Sequence, residues 1–402
     1  MPLARRRRRH PFLSARATPV RGAFVLFGMM LGLLVLAGCL IAPRDRHIET
    51  FSKEGPPVRV LLLNDVAEVT LTVDGQARRV TANDVGTSPI TFSSAKGEPI
   101  VVNSKRDSAY RGEIRIVQHD GAIDVINVLS VEEYLLGVVT RESLAKWPAE
   151  TLKAQAVASR TYALFHVRMV DRDPSRDFDL YDDTRSQVYG GYTSETDESR
   201  RAVSDTSGLV VAYGPKGSEK IFQAYFSSTC GGITASSRDV FPADDVPPLH
   251  ERVSDGCTSA GRYRWTTTVP KSVLTDRVRA WAKVKKNTVA GVGPIQTVEP
   301  AARNSLGRPT RYHLVDATGR RYELTSEQAR SALGWDAPRE TDLFSGFFEV
   351  TDMGTQLKFD GRGFGHGVGY CQWCGAGWGK AGVNSTEILR RSYPGAVVVR
   401  AY

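Results

Sequence analysis

VEEYLLGVVTRESLAKWPAETLKAQAVASRTYALFH, Val131 to His166, is the stretch on which the reading of this chain turns. Trp147-Pro148 brings proline to the first turn of a helix, where its missing N–H and fixed φ cost nothing, and Ala, Leu, Lys and Gln then continue as good helix formers. Lys153, Val157 and Arg160 fall at i, i+4 and i+7 and share one face, while Gln155, Ser159 and Tyr162 lie on a neighbouring one. This is a polar set on a helix otherwise made for burial. Glu142 stands just ahead of it, next to Arg141, with Leu144 and Trp147 close enough in sequence to supply apolar cover. A lone glutamate in such a place is ordinarily a solvated surface carboxylate, so its meaning depends on the rest of the chain.

Outward from this segment the signals are those of strands. VRVLLL from Val58 and the alternation Val69, Leu71, Val73 read as strands, the latter ending at Asp74-Gly75. GEIRIVQ and AIDVINVL flank Asp120-Gly121, a strong hairpin signal. LVVAYG and IFQAYF form another strand pair after Gly208, and a segment from Val246 to Phe344 follows, with a helical patch near Val278 to Val284. No internal repeat is present. The pattern predicts an α+β fold with mostly antiparallel strands around a central helix segment, in one domain from Val58 to Tyr402 with 246–344 as a variable middle region.

The N-terminus reads differently. Arg5 to Arg9, Arg16 and Arg21 precede the apolar run Ala23 to Gly38, which ends in Leu36-Ala37-Gly38-Cys39. This is the pattern of a lipoprotein signal over residues 1–38, with Cys39 lipidated and Ile41 to Pro57 as a polar tether. An uncleaved membrane anchor is the alternative, sixteen apolar residues being a little short of a comfortable span. The formal charge of the whole chain is +9. Loss of those seven arginines leaves +2, which disfavours a basic-patch nucleic-acid binder.

Three further segments recur in one family: YDDTRSQVYGGY with the downstream VSDTSGLVVAYG, FQAYFSSTCGGITASSRDVF, and FDGRGFGHGVGYCQWCGAGWGKAGVNSTEILRRSYPG. With the opening stretch, in order and spacing, they make the chain resemble the SpoIID/LytB family of stage II sporulation protein D-like lytic transglycosylases and amidase enhancers. The resemblance runs over roughly Val58 to Tyr402. It implies a catalytic glutamate at Glu142 and cleavage of peptidoglycan between N-acetylmuramic acid and N-acetylglucosamine. Its LytB side implies instead a non-catalytic wall-binding module that stimulates an amidase. Implied partners are peptidoglycan glycan strands and a cell-wall amidase, with the membrane reached through the lipid anchor, in the cell envelope, and no cofactor.

The number of acids bears on the chemistry. Glycosidases that use water need two carboxylates at a set separation, whereas a lytic transglycosylase works with one, because the C6 hydroxyl of N-acetylmuramic acid attacks C1 and closes a 1,6-anhydro ring. That role calls for a partly desolvated Glu142 with a raised pKa. Asp182 and Asp183 keep a two-carboxylate hydrolase open. By motif position, Lys153, Arg160, Gln187, Tyr189, Tyr225, Ser227, Ser228, Gly231, Gly232, His366 and Gln372 are candidates for the sugar-binding groove. The alternating Gly363, Gly365, Gly367 and Gly369 resemble a phosphate cradle only superficially, since no strand-then-helix context follows.

Four cysteines remain beyond Cys39: Cys230, Cys257, Cys371 and Cys374. A disulfide between Cys230 and Cys257 is the favoured pairing. Cys371-x-x-Cys374 stays open between a strained disulfide, half a zinc site and packed thiols, and a site drawing on Cys371, Cys374, His366 and Cys230 is an alternative. Some relatives hold zinc through His and Cys near the segment that here reads DDTRSQVY. Arg185 and Ser186 stand at those places, so that site is not carried over and no metal is assigned.

Overall fold

A computed structural model describes residues 55–105, 109–170, 176–241 and 245–402. The segment read as a lipoprotein signal, Cys39 and most of the expected tether lie outside them. Among the described residues no helix is long and apolar enough to cross a membrane.

The strand Pro57–Val66 lies inside a five-stranded sheet, paired antiparallel with Ala122–Ser130, which continues through Glu113–His119 to Ile90–Phe92. On its other edge it pairs parallel with the short strand Leu180–Tyr181. The hairpin at Asp120-Gly121 forms as the sequence predicts, with His119 opposite Ala122 and both turn residues at positive φ, 49° and 87°. That conformation matches the right-handed twist of the flanking strands, and Asp-Gly tolerates it best. Asp74-Gly75 closes a second hairpin in the same way, within a four-stranded antiparallel sheet. The fold is α+β and mostly antiparallel, as expected.

The helix beginning after Pro148 runs Ala149–Val170. Every residue from Ala154 to Leu164 is buried, which explains why no apolar stripe marks it: the helix is surrounded rather than laid on a surface. Its polar residues are satisfied internally. Thr161 Oγ1 donates to Val157 O at 2.7 Å and accepts from Val211 N at 2.9 Å, and Gln155 Nε2 donates to Ser159 Oγ at 3.0 Å. Leu152, Val157 and Leu164 join a core that also takes Val58, Val60, Ile114 and Val125 from the sheet.

Residues from Trp265 to Phe359 build a second core around Trp281, Tyr312 and Phe348. This part contains the helices Lys271–Val284 and Ser326–Leu333 and two three-stranded sheets. One sheet joins Trp265–Pro270 to Gln356–Gly361 and Phe348–Asp352, so the segment leaves and returns on adjacent strands. The segment with its own core therefore starts and ends later than 246–344, because Trp265 and Gly361 pair at its base.

Candidate active site

Ser130 caps the helix Val131–Leu136 through a capping box: its Oγ accepts from Glu133 N, and the Glu133 carboxylate accepts from Ser130 N, both at 3.3 Å. Gly137 follows, where a Cβ would meet the Tyr189 ring at 2.7 Å and Gly191 O at 2.8 Å. Only glycine permits that approach, and it lets Gly190 N donate to Gly137 O at 3.0 Å. The helical turn Val139–Glu142 is thus tied to the 188–191 segment. From that segment Val188 N donates to Glu142 Oε1 at 2.6 Å.

The other carboxylate oxygen faces Gln372, whose Nε2 lies 3.4 Å from Oε2. Gln372 Nε2 also donates to Gln155 Oε1 at 3.2 Å, and the same oxygen accepts from Ser143 Oγ at 3.2 Å. Gln155 Nε2 in turn holds Ser159. Neutral groups therefore fix Glu142, and it forms no salt bridge among the described residues. Burial pushes its pKa up, against the lowering effect of the Val188 and Gln372 hydrogen bonds. Arg141 is exposed and does not counter that shift.

Glu142 opens into a cleft of about 530 Å³ lined by Thr140, Arg141, Ser143, Leu144 and Trp147 on its own side. Ser228, Thr229, Gly261, Arg262, Arg339, Phe364, Gln372 and Trp373 complete the lining. The volume falls in the range of about 300–1,000 Å³ usual for ligand sites. Phe364 and Leu144 are both 46% exposed, so the cleft offers apolar surface beside its polar groups. Trp147 and Trp373 meet edge to face at 5.4 Å across the cleft floor. Among the described residues, three arginines line the cleft, and Glu142 is the only carboxylate that does.

Of the predicted groove residues, Ser228 and Gln372 reach this cleft with Glu142; the others do not line it. Lys153 pairs with Glu150 at 3.1 Å and Asp205 at 3.0 Å. Arg160 is fully buried in a bidentate clasp on Glu132, at 2.8 and 2.7 Å, and donates to Leu209 O. It locks the long helix to the helix that leads to Glu142. Gln187 Nε2 donates to Ser159 O at 3.3 Å and so pins the segment that presents Val188 N. Tyr189 is buried, its hydroxyl donating to Asn127 Oδ1 at 2.8 Å. Tyr225 stacks on Phe241 at 4.2 Å.

Ser227 Oγ accepts from Gly367 N at 3.2 Å. Gly231 and Gly232 bend the chain at φ 73° and 98°, and a Cβ on Gly231 would meet Arg362 at 2.6 Å, so the glycine permits a close chain crossing. Phe364 reaches the cleft through a reciprocal pair of hydrogen bonds with Thr229, at 3.1 and 2.8 Å, which Gly363 permits by leaving its Cβ position to Thr229 O. His366 is held by backbone on both nitrogens: Nδ1 accepts from Val368 N at 3.0 Å, so Nε2 carries the proton that goes to Phe226 O at 2.9 Å. Burial lowers its pKa to about 4, and it stays neutral.

Asp182 is ion-paired with Lys105, and Asp183 with Arg185 at 2.9 Å; neither lines the cleft. No bond joins Cys230 to Cys257. Their sulfurs lie 3.6 Å apart, and all four cysteines converge in one buried group that includes Cys257 in place of His366. Sequence reasoning did not single out Arg262, Arg339 or the Val188 amide. Phe364 lay inside a quoted motif, with alternating glycines as the available signal of a close crossing.

A family model described as stage II sporulation protein matches residues 119–213, and one described as a domain of unknown function (DUF8618) matches 249–369. An uncharacterised protein of Brachyspira hyodysenteriae (strain ATCC 49526 / WA1) is 30% identical over 294 residues, covering 72% of each chain. The amidase enhancer of Bacillus subtilis (strain 168) is 27% identical over 66% of this chain and 40% of its own length. Stage II sporulation protein D of Bacillus amyloliquefaciens is 25% identical over 68% of this chain and 75% of its own.

Proposed function

The chain belongs to the SpoIID/LytB family, and from that premise we propose that it is a peptidoglycan lytic transglycosylase with Glu142 as its sole acid and base. The observation that carries this reading is a cleft with a single carboxylate among the described residues, desolvated and held by neutral donors. A water-using glycosidase needs a second carboxylate across the scissile bond, and Asp182 and Asp183 are committed elsewhere.

In this mechanism the protonated Glu142 gives its proton to the glycosidic oxygen as the bond from C1 of N-acetylmuramic acid breaks. The C6 hydroxyl of the same sugar attacks C1, and the carboxylate takes the hydroxyl proton. One C–O bond is exchanged for another, no water is consumed, and Glu142 returns to its starting state. Val188 N–H and Gln372 stabilise the carboxylate midway, while burial raises the pKa and so shifts the balance toward the acid form at the outset.

Arg141, Arg262 and Arg339 suit a glycan that carries free carboxylates. N-acetylmuramic acid has such a group on its lactyl arm once the stem peptide has been removed, which makes an amidase acting earlier a natural partner. The site of action would be the cell envelope. A second reading is favoured by the relative named amidase enhancer: a wall-binding module that stimulates an amidase without cleaving glycan. Incubation with peptide-free and peptide-bearing glycan strands separates the two. Release of fragments, faster from peptide-free strands, supports the transglycosylase, and binding without fragments sinks it in favour of the enhancer.

A further inference from the structure

Cys230, Cys257, Cys371 and Cys374 place their sulfurs within 4.8 Å of one another, all buried. Two of the separations are 3.6 and 3.8 Å. A zinc ion with four thiolates at about 2.3 Å sets its sulfurs about 3.8 Å apart in a tetrahedron. The donors around the group point at the sulfurs as they do around metal-bound thiolates. Cys371 Sγ accepts from Cys230 N at 3.3 Å and Cys374 N at 3.4 Å, the second across the N-terminus of the helix Gln372–Lys380. Ser254 Oγ donates to Cys374 Sγ at 3.1 Å.

Charge gives a second, independent pointer. Arg308 is 2% exposed and donates to the carbonyls of Cys230, Ile233 and His366, with Nε buried and unpaired. Arg252 donates to the carbonyls of His250, Gly369 and Ser392, and its Nε is likewise buried and unpaired. Neither forms a salt bridge among the described residues, although buried cations ordinarily demand one. The electrostatic neighbours of both include Cys230 and Cys371. Two disulfides would leave Glu327, near Arg308, as the one carboxylate among the main electrostatic neighbours of these two cations. Four thiolates around a divalent ion carry a net charge of about −2, which balances them.

We propose that the four cysteines bind one zinc ion as a tetrathiolate, the four thiol protons leaving as the ion enters. The site is a clamp for the far wall of the cleft. Cys230 follows Ser228 and Thr229, Cys257 precedes Gly261 and Arg262, and Cys371 and Cys374 bracket Gln372 and Trp373. Each of these six neighbours lines the cleft. Three segments distant in sequence are thereby fixed around the acid by one ion. The inference does not depend on the glycan chemistry, since it concerns what holds the wall and not what the wall binds.

The test is elemental analysis and native mass spectrometry of the full chain, purified in detergent with reductant and without chelator. The expected result is about one zinc per chain, with the four thiols resisting alkylation until a chelator is added. Cobalt(II) loaded into chelator-stripped protein should give the visible d–d bands of a tetrahedral thiolate site, and Cys257→Ser should lose them. Arg308→Met should weaken zinc retention about 10–100-fold, as loss of an outer partner does. Two disulfides in the purified chain, or four alkylatable thiols with no bound metal, would overturn the proposal. Zinc found in a protein that releases no glycan fragments would leave it standing and count only against the catalytic reading.

Discussion

The two walls of the cleft are built by opposite means. The wall with Glu142 comes from one run of sequence, Val131 to Trp147, shaped by a capping box, a glycine crossing and the Arg160–Glu132 clasp. The facing wall is gathered from residues near 228, 262, 339, 364 and 372, and its regular structure is limited to a bridge between Thr229 and Phe364, the short turn Arg339–Thr341 and the start of one helix. A group that must sit within tenths of an ångström of a scissile bond is placed by local structure and buried hydrogen bonds. On the proposed reading, the surface that grips the polymer is assembled from loops and short turns, which the proposed zinc ion would cross-link. On that reading the difference also separates chemistry from recognition, because Glu142 lies on one wall while two of the three arginines lie on the other.

That contrast can be broken by substitution. The largest effect is expected at the acid: Glu142→Gln keeps shape but removes the transferable proton, and should lower kcat about 10²–10⁴-fold while sedimentation with glycan strands is unchanged. Next comes the clasp. Arg160→Met strands the Glu132 carboxylate and should cost about 3–5 kcal/mol in denaturant unfolding, with the double change Glu132→Gln/Arg160→Met recovering part of it.

On the recognition wall the effect should be smaller and selective. Arg262→Ala should cost about 1.5–3 kcal/mol in kcat/KM on strands with free lactyl carboxylates and little on peptide-bearing ones, measured by fragment release. The smallest expected effect is a shift in pH profile. Gln372 favours the charged form of Glu142, so Gln372→Leu should raise its pKa further and move the alkaline limb of kcat/KM upward. Because the folded pKa of Glu142 is raised, ionising it costs stability once pH exceeds the ordinary glutamate range. Glu142→Gln should therefore gain stability over the native chain as pH rises, and lose that advantage in acid.

The hairpin at Asp120-Gly121 and the start of the long helix at Pro148 follow from local rules and were legible in the sequence, whereas Asp74-Gly75 read only as the end of a strand and Glu142 stood out through the family resemblance. Arg160 and Lys153 were not. Their spacing showed that they share a helix face, but Glu132 and Asp205, which claim them, act through contacts that periodicity does not encode. His366 lies in a motif that reads as a binding loop, yet backbone groups 140 and 2 residues away saturate both of its nitrogens. The cysteines were visible one by one. Their meeting point was not, because it depends on two chain crossings, one of Gly231 with Arg362 and one of Gly256 with Cys374 and Gly377, where a Cβ on Gly231, Gly256 or Gly377 would clash with backbone at 2.8, 2.6 and 2.1 Å.

The central claim is that one carboxylate suffices because the substrate supplies the nucleophile. Mass spectrometry of the fragments released from peptide-free glycan strands, by the native chain and by Glu142→Gln, tests it most directly. The account expects termini of 1,6-anhydro-N-acetylmuramic acid, one water lighter than a reducing end, and their disappearance in the variant. Reducing ends from the native chain would mean that water is the nucleophile, and would contradict it.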